Sequence, residues 1–364
     1  MLLVTFHGGS GGIANAYAYN TATNALISDT ALANSPLDGD AELRAMVLAN
    51  TYLYVVNGKK KESDVLCFSL PPSGSSTGQC EFVSTFAAAT LSKKGHFEMA
   101  IAHPYSMVFN GPSQCFISNQ DTNVVAAAAV AADSTTATVS AGCQSAYLNG
   151  ITGFCPSTGC VYLDGTFVAS QNGSLPDVTV TATNVPEQNG GLSIDFSGSA
   201  DSQKVQNSVR DLALVGNVLL VCDEPGKVLR LYSLPEGAYL GASPVLAAAP
   251  THLAVAASGL YVSAGSNLYW SALGASPTPA SLSFHSVLEV PATGGYKKIG
   301  GVAFDAAGTG MYAAFQTDTG ETGSGAIYSY AVTGDGSSAP VLSGASVFAS
   351  ALKDTPEFLL FVPD

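Results

Sequence analysis

Residues 220–232 decide the fold of this chain, because Leu220-Val221-Cys222-Asp223 and Val228-Leu229-Arg230-Leu231-Tyr232 flank a short polar turn. Two apolar runs separated by a turn are typical of a β-hairpin. The same pattern occurs as Leu3-Val4 with Ala16-Tyr17-Ala18-Tyr19, Tyr54-Val55 with Val65-Leu66-Cys67-Phe68, Phe116-Ile117 with Val124-Val125, Tyr261-Val262 with Leu268-Tyr269-Trp270, and Tyr312-Ala313 with Ile327-Tyr328-Ser329-Tyr330. Six copies of one hairpin predict a repeat architecture.

The spacing of the copies predicts the number of repeats. Successive copies are 41 to 62 residues apart, except for one interval of 104 residues. That interval predicts a further copy near residue 169, where Phe167-Val168 is followed by a polar turn and by the alternating run Val178-Thr179-Val180-Thr181. Repeats of this length suit four-stranded blades, so we expect an all-β, seven-bladed propeller over residues 1–364. Six blades are the alternative, with an insertion or an irregular blade within residues 133–203.

The two ends of the chain are complementary. Phe358-Leu359-Leu360-Phe361-Val362 resembles an innermost strand with no hairpin after it, whereas the chain starts with a hairpin that has no inner strand before it. Pairing the last strand with Leu2–Phe6 would close the ring and remove both open sheet edges. The other inner strands are predicted at residues 44–48, 105–109, 209–214, 252–255 and 300–304.

Composition limits the partners of the protein. The formal net charge is −14, with 13 basic and 27 acidic residues, and such a charge repels nucleic acid and anionic lipid surfaces. No apolar run approaches the ~20 residues of a membrane-spanning helix. We therefore expect neither a nucleic-acid partner nor a membrane, and a small molecule or a protein as the ligand.

The start of the chain and its cysteines limit the possible functions less than the net charge does. The chain starts directly with an apolar strand, which favours an intracellular protein; a secreted chain whose leader was removed before numbering is the alternative. Seven cysteines do not form a disulfide framework, and Cys67, Cys115 and Cys222 fit buried strand positions. Cys155 and Cys160 flank a short Pro- and Gly-containing loop, where free thiols, a local disulfide and a metal site all remain open.

Three segments resemble repeats of known propellers: Phe116-Ile-Ser-Asn-Gln-Asp-Thr-Asn123, Val209-Arg-Asp-Leu-Ala-Leu214 and Leu220-Val-Cys-Asp-Glu-Pro-Gly226. They are similar to NHL repeats and to SMP-30/gluconolactonase-like propellers. The resemblance implies the fold, and it implies either a binding module or a calcium-dependent lactonase. Those lactonases have an acidic ligand near the start of the chain, where this sequence has His7 and a run of glycines.

Polar residues occur in two sets of loops: those that follow the second strand of several blades and those that lead into the inner strands. Both sets are expected on the same face of the propeller. The predicted ligand-binding face comprises His7, Asn57, Asn119, Asp121, Arg210 and Asp223. Carboxylate and amide oxygens suit calcium, so Asn57, Asn119, Asp223 and Glu224 are the candidate metal ligands. Asn and Asp are also common in turns, because their side chains hydrogen-bond the local backbone and tolerate a left-handed conformation. A purely structural role is therefore the competing interpretation.

Two functions follow from this face. The first is a scaffold or interaction module that binds a ligand or a protein without catalysis. The alternative is a calcium-type lactonase or esterase, in which the metal polarises the carbonyl and Glu224, His103 or His252 acts as the base. The sequence leaves open whether the protein is an enzyme.

Overall fold

The predicted hairpins form antiparallel sheets in the computed structural model. It describes residues 1–9, 11–59, 63–72, 77–88, 103–120, 124–139, 153–155, 160–163, 166–170, 179–180, 194–195, 209–224, 226–235, 238–317, 324–334 and 336–363. Blade 1 consists of β30 (Pro356–Phe361), β1 (Leu2–Phe6), β2 (Tyr17–Tyr19) and β3 (Leu26–Ser28), from the inner strand outward. Blade 2 consists of β5 (Leu43–Ala49), β6 (Tyr52–Asn57), β7 (Asp64–Ser69) and β8 (Cys80–Ala88), and β4 (Leu32–Ala33) pairs with β8 in parallel.

Blades 3 to 6 repeat the same order. Blade 3 consists of β9 (Pro104–Phe109), β10 (Gln114–Asn119), β11 (Val124–Val130) and β12 (Ala137–Val139). Blade 4 consists of β18 (Val209–Val215), β19 (Val218–Asp223), β20 (Val228–Ser233) and β21 (Ala238–Ala242). Blade 5 consists of β22 (Pro250–Ala256), β23 (Gly259–Ala264), β24 (Asn267–Ser271) and β25 (His285–Glu289), with a 3-10 turn at Pro279–Ser281. Blade 6 consists of β26 (Lys298–Phe304), β27 (Gly310–Gln316), β28 (Gly325–Thr333) and β29 (Val341–Leu352).

Between β12 and β18 the chain forms two smaller sheets. The first contains β13 (Gly153–Cys155), β14 (Cys160–Leu163) and β15 (Thr166–Ser170), and the second contains β16 (Thr179–Val180) and β17 (Ile194–Asp195). The backbones of Cys155 and Cys160 lie opposite each other in the hairpin β13–β14. The side chains of Cys155 and Cys160 lie outside what the structure describes, so it does not test the disulfide that the sequence left open.

The prediction of seven blades is wrong, because the propeller has six. Blade 3 packs directly on blade 4: Phe116 and Val125 share one buried cluster with Leu219 and Val221. The Ser106 hydroxyl of β9 also donates to Asp211 Oδ1 of β18 at 2.5 Å. Among the described residues no blade stands between them, and the interval of 104 residues includes the two smaller sheets. Spacing along a chain counts residues, and it cannot distinguish a second blade from an insertion.

The predicted closure is confirmed. Strand β30 pairs antiparallel with β1, with Leu359 opposite Val4 and Phe361 opposite Leu2. The Met1 amino group donates to the carbonyl of Val362 at 2.9 Å, which fixes both ends of the chain in one sheet. The predicted inner strands are likewise present as β5, β9, β18, β22 and β26.

The core lies between neighbouring blades, because alternate residues of a strand point to opposite faces of its sheet. In β6, Tyr54 and Val56 pack toward blade 3, whereas Leu53 and Val55 pack toward blade 1. Both faces of each middle strand are therefore buried, which explains the continuous apolar runs in the sequence. The described part of the chain contains no helix long and apolar enough to cross a membrane.

Candidate ligand pocket on the propeller axis

Each of the six inner strands carries a β-bulge close to its first residue. The pairing with the neighbouring strand shifts by one residue between Leu43 and Met46, Pro104 and Ser106, Val209 and Leu212, Pro250 and His252, Ile299 and Val302, and Pro356 and Leu359. Bulges redirect side chains and are frequent beside binding sites. Here they occur at one level of the ring, where all six inner strands converge.

A cavity of about 650 Å³ lies at this level. The bulges contribute Arg44, Tyr105, Arg210, Thr251 and Glu357 to its lining, and blade 6 has Gly300 at the corresponding position. A second ring of lining residues lies at the end of the second strands: His7, Gln120, Glu224 and Gly265 directly follow these strands, and Gln316 is the last residue of β27. The pocket therefore lies on the axis of the propeller and draws on every blade.

Five of the predicted site residues meet in this pocket. They are His7, His103, Arg210, Glu224 and His252. Asn57, Asn119 and Asp223 do not line it, because each pairs with the residue immediately before a bulge and is buried within the sheet. A strand alternates the direction of its side chains, so the next residue along the chain faces the axis instead. Asp121 lies outside the described residues.

Three of the four candidate calcium ligands have oxygen atoms held by other partners, and Nδ2 of the fourth, Asn119, donates to the carbonyl of Ile117 at 3.1 Å. The carboxylate of Asp223 forms a buried ion pair with Arg230, with Oδ2 2.6 Å from a guanidinium nitrogen. Oδ1 of Asn57 accepts the backbone N–H groups of Glu42 and Lys59, both at 3.3 Å. Glu224 binds Arg210. Among the described residues, no three His, Cys, Asp or Glu side chains are arranged to hold a metal ion. Calcium binding by these four residues stays a prediction.

Glu357 is the central acidic group of the pocket. Its Oε1 lies 2.8 Å from Nδ1 of His7, and its Oε2 lies 3.5 Å from Nε2 of His252. Burial alone would raise the pKa of Glu357, but hydrogen bonds from the two histidines and the charge of Arg44 hold it well below its ordinary value. Glu357 is therefore a buried carboxylate that stays ionised. The Tyr105 hydroxyl lies 3.1 Å from the same Nε2 of His252.

A second cluster of charged side chains, formed by Arg44, Glu42 and His103, connects blades 1, 2 and 3. Arg44 donates to the carbonyl of His7 at 2.7 Å and to Oε2 of Glu42 at 3.0 Å. Nε2 of His103 lies 3.6 Å from that same oxygen of Glu42. Burial opposes ionisation of Glu42, but His103 and Arg44 lower its pKa below the ordinary value. His103 adopts a left-handed backbone conformation with φ of 49°, which directs the chain into β9.

Arg210 supplies a third charged position, from blade 4. Its Nε donates to Oε2 of Glu224 at 2.6 Å, and its guanidinium lies over the ring of Tyr105 at 5.3 Å. The ion pair and the cation–π contact hold the guanidinium at the pocket wall. With Lys298 from blade 6, the lining holds three permanent cations in a chain that has only 13 Lys and Arg residues.

Among the described residues, Nε of Arg44 and Nε2 of Gln120 in the lining have no hydrogen-bond partner. The two residues are 3% exposed, so bulk water does not solvate these atoms. An unpaired donor at such a site costs about 1–3 kcal/mol, and more if it is charged. A ligand that brings acceptor oxygens would remove this cost.

Sequence reasoning did not place Arg44, Glu42, Tyr105, Lys298 or Glu357 in the site. Arg44 and Tyr105 were assigned to the starts of inner strands, where apolar packing was the expected role. The signal that could have identified them is a charged residue at the start of an otherwise apolar inner strand, as in Leu43-Arg44-Ala45 and Pro356-Glu357-Phe358. A buried charge in an apolar run requires a partner or a function.

Comparisons with known proteins leave the family of the chain open. No family model matches it, and no curated protein does. Solved structures that are similar include a protein from Lactobacillus plantarum (14% identity, TM-score 0.49, 94% of this chain and 81% of that chain). A "putative 6-phosphogluconolactonase" from Bacteroides fragilis is 14% identical (TM-score 0.49, 95% and 82%), and the β-propeller domain of Cps50 (Swd1) from Myceliophteria thermophila is 11% identical (TM-score 0.46, 98% and 89%).

Identities and TM-scores at this level carry no function to this chain. The propeller architecture rests on its own strand pairing and on the closed ring of inner strands. The predicted resemblance to NHL and SMP-30/gluconolactonase-like propellers has no matching family model and stays a prediction.

Proposed function

We propose that this propeller binds a small organic acid, bearing a carboxylate or a phosphate, in the axial pocket. The observation that carries the proposal is the pair of buried donors without partners, Nε of Arg44 and Nε2 of Gln120. Arg44 belongs to blade 2 and Gln120 to the adjacent blade 3, and both residues line the same cavity. An oxygen of the ligand would accept from these donors and relieve the cost of burying them.

Charge supports an acidic ligand over a neutral one. Arg210 and Lys298 line the same pocket, and Lys298 lies on blade 6, across the axis from blade 3 and Gln120. The three lining carboxylates, Glu42, Glu224 and Glu357, are matched by three permanent cations, Arg44, Arg210 and Lys298, so the formal charge of the lining is balanced. The whole chain, in contrast, has a net charge of −14. A negatively charged ligand is therefore better accommodated on the axis than elsewhere on the surface.

Size supports a metabolite rather than a folded partner. A cavity of about 650 Å³ is within the range of pockets for small molecules, about 300–1,000 Å³. The polar groups converge from separate blades, each fixed by a β-sheet and a bulge. Such a site can orient a ligand without a large rearrangement of the protein.

The test is calorimetric titration with matched acids and neutral analogues at constant ionic strength. Succinate, citrate, glucose 6-phosphate and inorganic phosphate are compared with succinamide and glucose. We expect at least one acid to bind and its neutral analogue to bind at least tenfold more weakly, a difference of about 1.4 kcal/mol. Calcium is titrated in the same series, because its binding would support the calcium prediction instead.

Two neighbouring lysines provide a matched pair of variants. Lys298→Gln removes a charge from the pocket lining, whereas Lys297→Gln removes the same charge from an exposed position beside it. We expect Lys298→Gln to weaken binding of the acid and Lys297→Gln to leave it unchanged. Equal effects of the two substitutions, or no binding of any acid by the folded protein, would contradict the proposal.

A further inference from the structure

His7 is the exposed side chain of the charged cluster, and its backbone is fixed on both sides. Its N–H donates to the carbonyl of Thr355 at 2.8 Å, and its own carbonyl accepts from Arg44 at 2.7 Å. The side chain is 42% exposed and lines the axial pocket. The imidazole therefore projects from a rigid position into the cavity.

Glu357 determines which ring nitrogen of His7 is available. Its Oε1 lies 2.8 Å from Nδ1, so the ionised carboxylate holds the proton on that nitrogen. Nε2 is then the basic nitrogen. A carboxylate that orients an imidazole in this way stabilises the imidazolium that forms when the ring accepts a proton. The low pKa of Glu357 keeps the carboxylate ionised, as this role requires.

The two donors that lack partners belong to the same pocket: Arg44 contacts the backbone of His7, and Gln120 lines the cavity with both residues. His7 belongs to blade 1, Arg44 to blade 2 and Gln120 to blade 3, in ring order. Buried donors that already have a fixed direction stabilise negative charge developing on a substrate oxygen. The pocket thus places a candidate base beside candidate donors for an oxyanion.

We propose that His7, oriented by Glu357, is the general base of an esterase whose substrates are esters carrying an anionic group. This inference rests on the proposed binding of acids in the pocket. The anionic group would face Lys298, on the blade across the axis from Gln120, and the ester carbonyl would face Arg44 and Gln120.

The reaction balances without a further reactant. Nε2 of His7 removes a proton from a water molecule as the water oxygen forms a bond to the carbonyl carbon. Negative charge on the carbonyl oxygen is stabilised by the two donors. The carbon–oxygen bond to the alcohol then breaks, and the imidazolium returns its proton to the leaving oxygen. The products are a carboxylic acid and an alcohol.

The experiment uses two chromogenic esters that differ in one charge, 4-nitrophenyl hemisuccinate and 4-nitrophenyl butyrate, with EDTA present throughout. We expect the hemisuccinate to be hydrolysed with the higher kcat/KM. His7→Gln should lower its kcat about 100-fold or more, in line with general-base contributions. His285→Gln alters a histidine outside the pocket lining and should leave kcat unchanged.

Glu357 is a positioning residue in this scheme, and its substitution needs a readout beyond rate. Glu357→Gln should lower kcat and change the shape of the pH–rate profile, because the imidazolium loses its counter-charge. A solvent deuterium isotope effect on kcat would indicate proton transfer rather than attack on the ester by the imidazole. If Glu357→Gln fails to fold, the half-exposed His7→Gln still tests the base.

Failure of this inference is distinguishable from failure of the binding proposal. Succinate that binds while the hemisuccinate is not hydrolysed would overturn the esterase and leave acid binding intact. Wild-type turnover by His7→Gln would do the same. Equal hydrolysis of both esters would overturn the preference for an anionic substrate. If none of the four acids binds to the folded protein, the proposed function falls first.

Discussion

Glu357 and His7 are 350 positions apart in the sequence, yet Oε1 of Glu357 lies 2.8 Å from Nδ1 of His7. The contact exists because the last strand pairs with the first. Closure of the ring and assembly of the pocket are therefore the same structural event. We call β30 and its contacts with β1 and β26 the seam. Substitutions at the seam are expected to affect stability and ligand binding together.

The first prediction concerns the pH dependence of stability. The pKa of Glu357 in the folded protein lies well below its ordinary value, so its ionisation stabilises the fold at neutral pH. This contribution is complete above the unfolded pKa, and it is lost as the pH falls through the folded pKa. Glu357→Gln should cost roughly 2 kcal/mol at neutral pH, as expected for hydrogen bonds to a charged group. The difference from wild type should shrink as the pH falls below about 4.

Urea unfolding of wild type and Glu357→Gln across that range measures the effect. The control is Glu289→Gln, because Glu289 is exposed on an outer strand. Its unfolding free energy should follow that of wild type at every pH. A cost of Glu357→Gln that stays constant down to acidic pH would show that the carboxylate charge is not what stabilises the seam.

The second prediction concerns closure itself. Deletion of residues 355–364 removes β30, exposes one edge of β1 and opens the cluster that contains Leu2, Val4 and Leu359. An unpaired inner edge and an open core favour aggregation. We expect the truncated protein to be insoluble or unfolded, as measured by size-exclusion chromatography and circular dichroism.

A point substitution tests closure without deletion. Leu359→Ala should destabilise the fold by about 2–4 kcal/mol, because it leaves a cavity in a buried cluster. Leu240→Ala is the matched control, since Leu240 is 44% exposed on an outer strand. A soluble truncated protein with the melting temperature of wild type would show that β30 is not needed to close the ring.

The third prediction separates structure from ligand binding at Asp223. Its carboxylate pairs with Arg230, and both side chains are 3% exposed. Removing one partner of a buried ion pair typically costs about 3–5 kcal/mol. Asp223→Asn should therefore lower the melting temperature strongly while the affinity of the remaining folded protein for an acid is unchanged. An unchanged melting temperature with loss of calcium binding would instead restore Asp223 as a metal ligand.

The sequence predicted most of the fold, because repeated hairpins and complementary ends are local patterns. It failed at the seventh copy, which spacing and a hairpin-like pattern suggested: Phe167 and Val168 lie in β15, a strand of a separate three-stranded sheet. The insertion contains strands of its own, so a repeat length cannot reveal it.

The site was predicted in part for a related reason. His7, Arg210 and His252 lie in the pocket. Asn57 and Asp223 are buried within their sheets instead, because the inner strands contain bulges that change which side chains face the axis. A bulge arises from the geometry of two paired strands, and a single sequence carries little trace of it. Glu357 was missed because its partners come from the other end of the chain.

The last prediction concerns close packing of the inner strands at the seam. A Cβ atom on Gly301 would lie 2.9 Å from the carbonyl oxygen of Glu357 and 2.9 Å from Cα of Phe358. Both are backbone atoms of β30 and cannot rotate away. Gly301→Ala should therefore push β26 from β30 and destabilise the protein by about 1–3 kcal/mol, as overpacking does. Gly274→Ala is the control, because nothing lies within 4 Å of its added Cβ.

Since Gly301 contacts the backbone of Glu357, we also expect Gly301→Ala to weaken acid binding, measured by calorimetry on the folded fraction. Wild-type stability and affinity in Gly301→Ala would show that β26 and β30 tolerate a wider spacing, and that the seam does not control the geometry of the pocket.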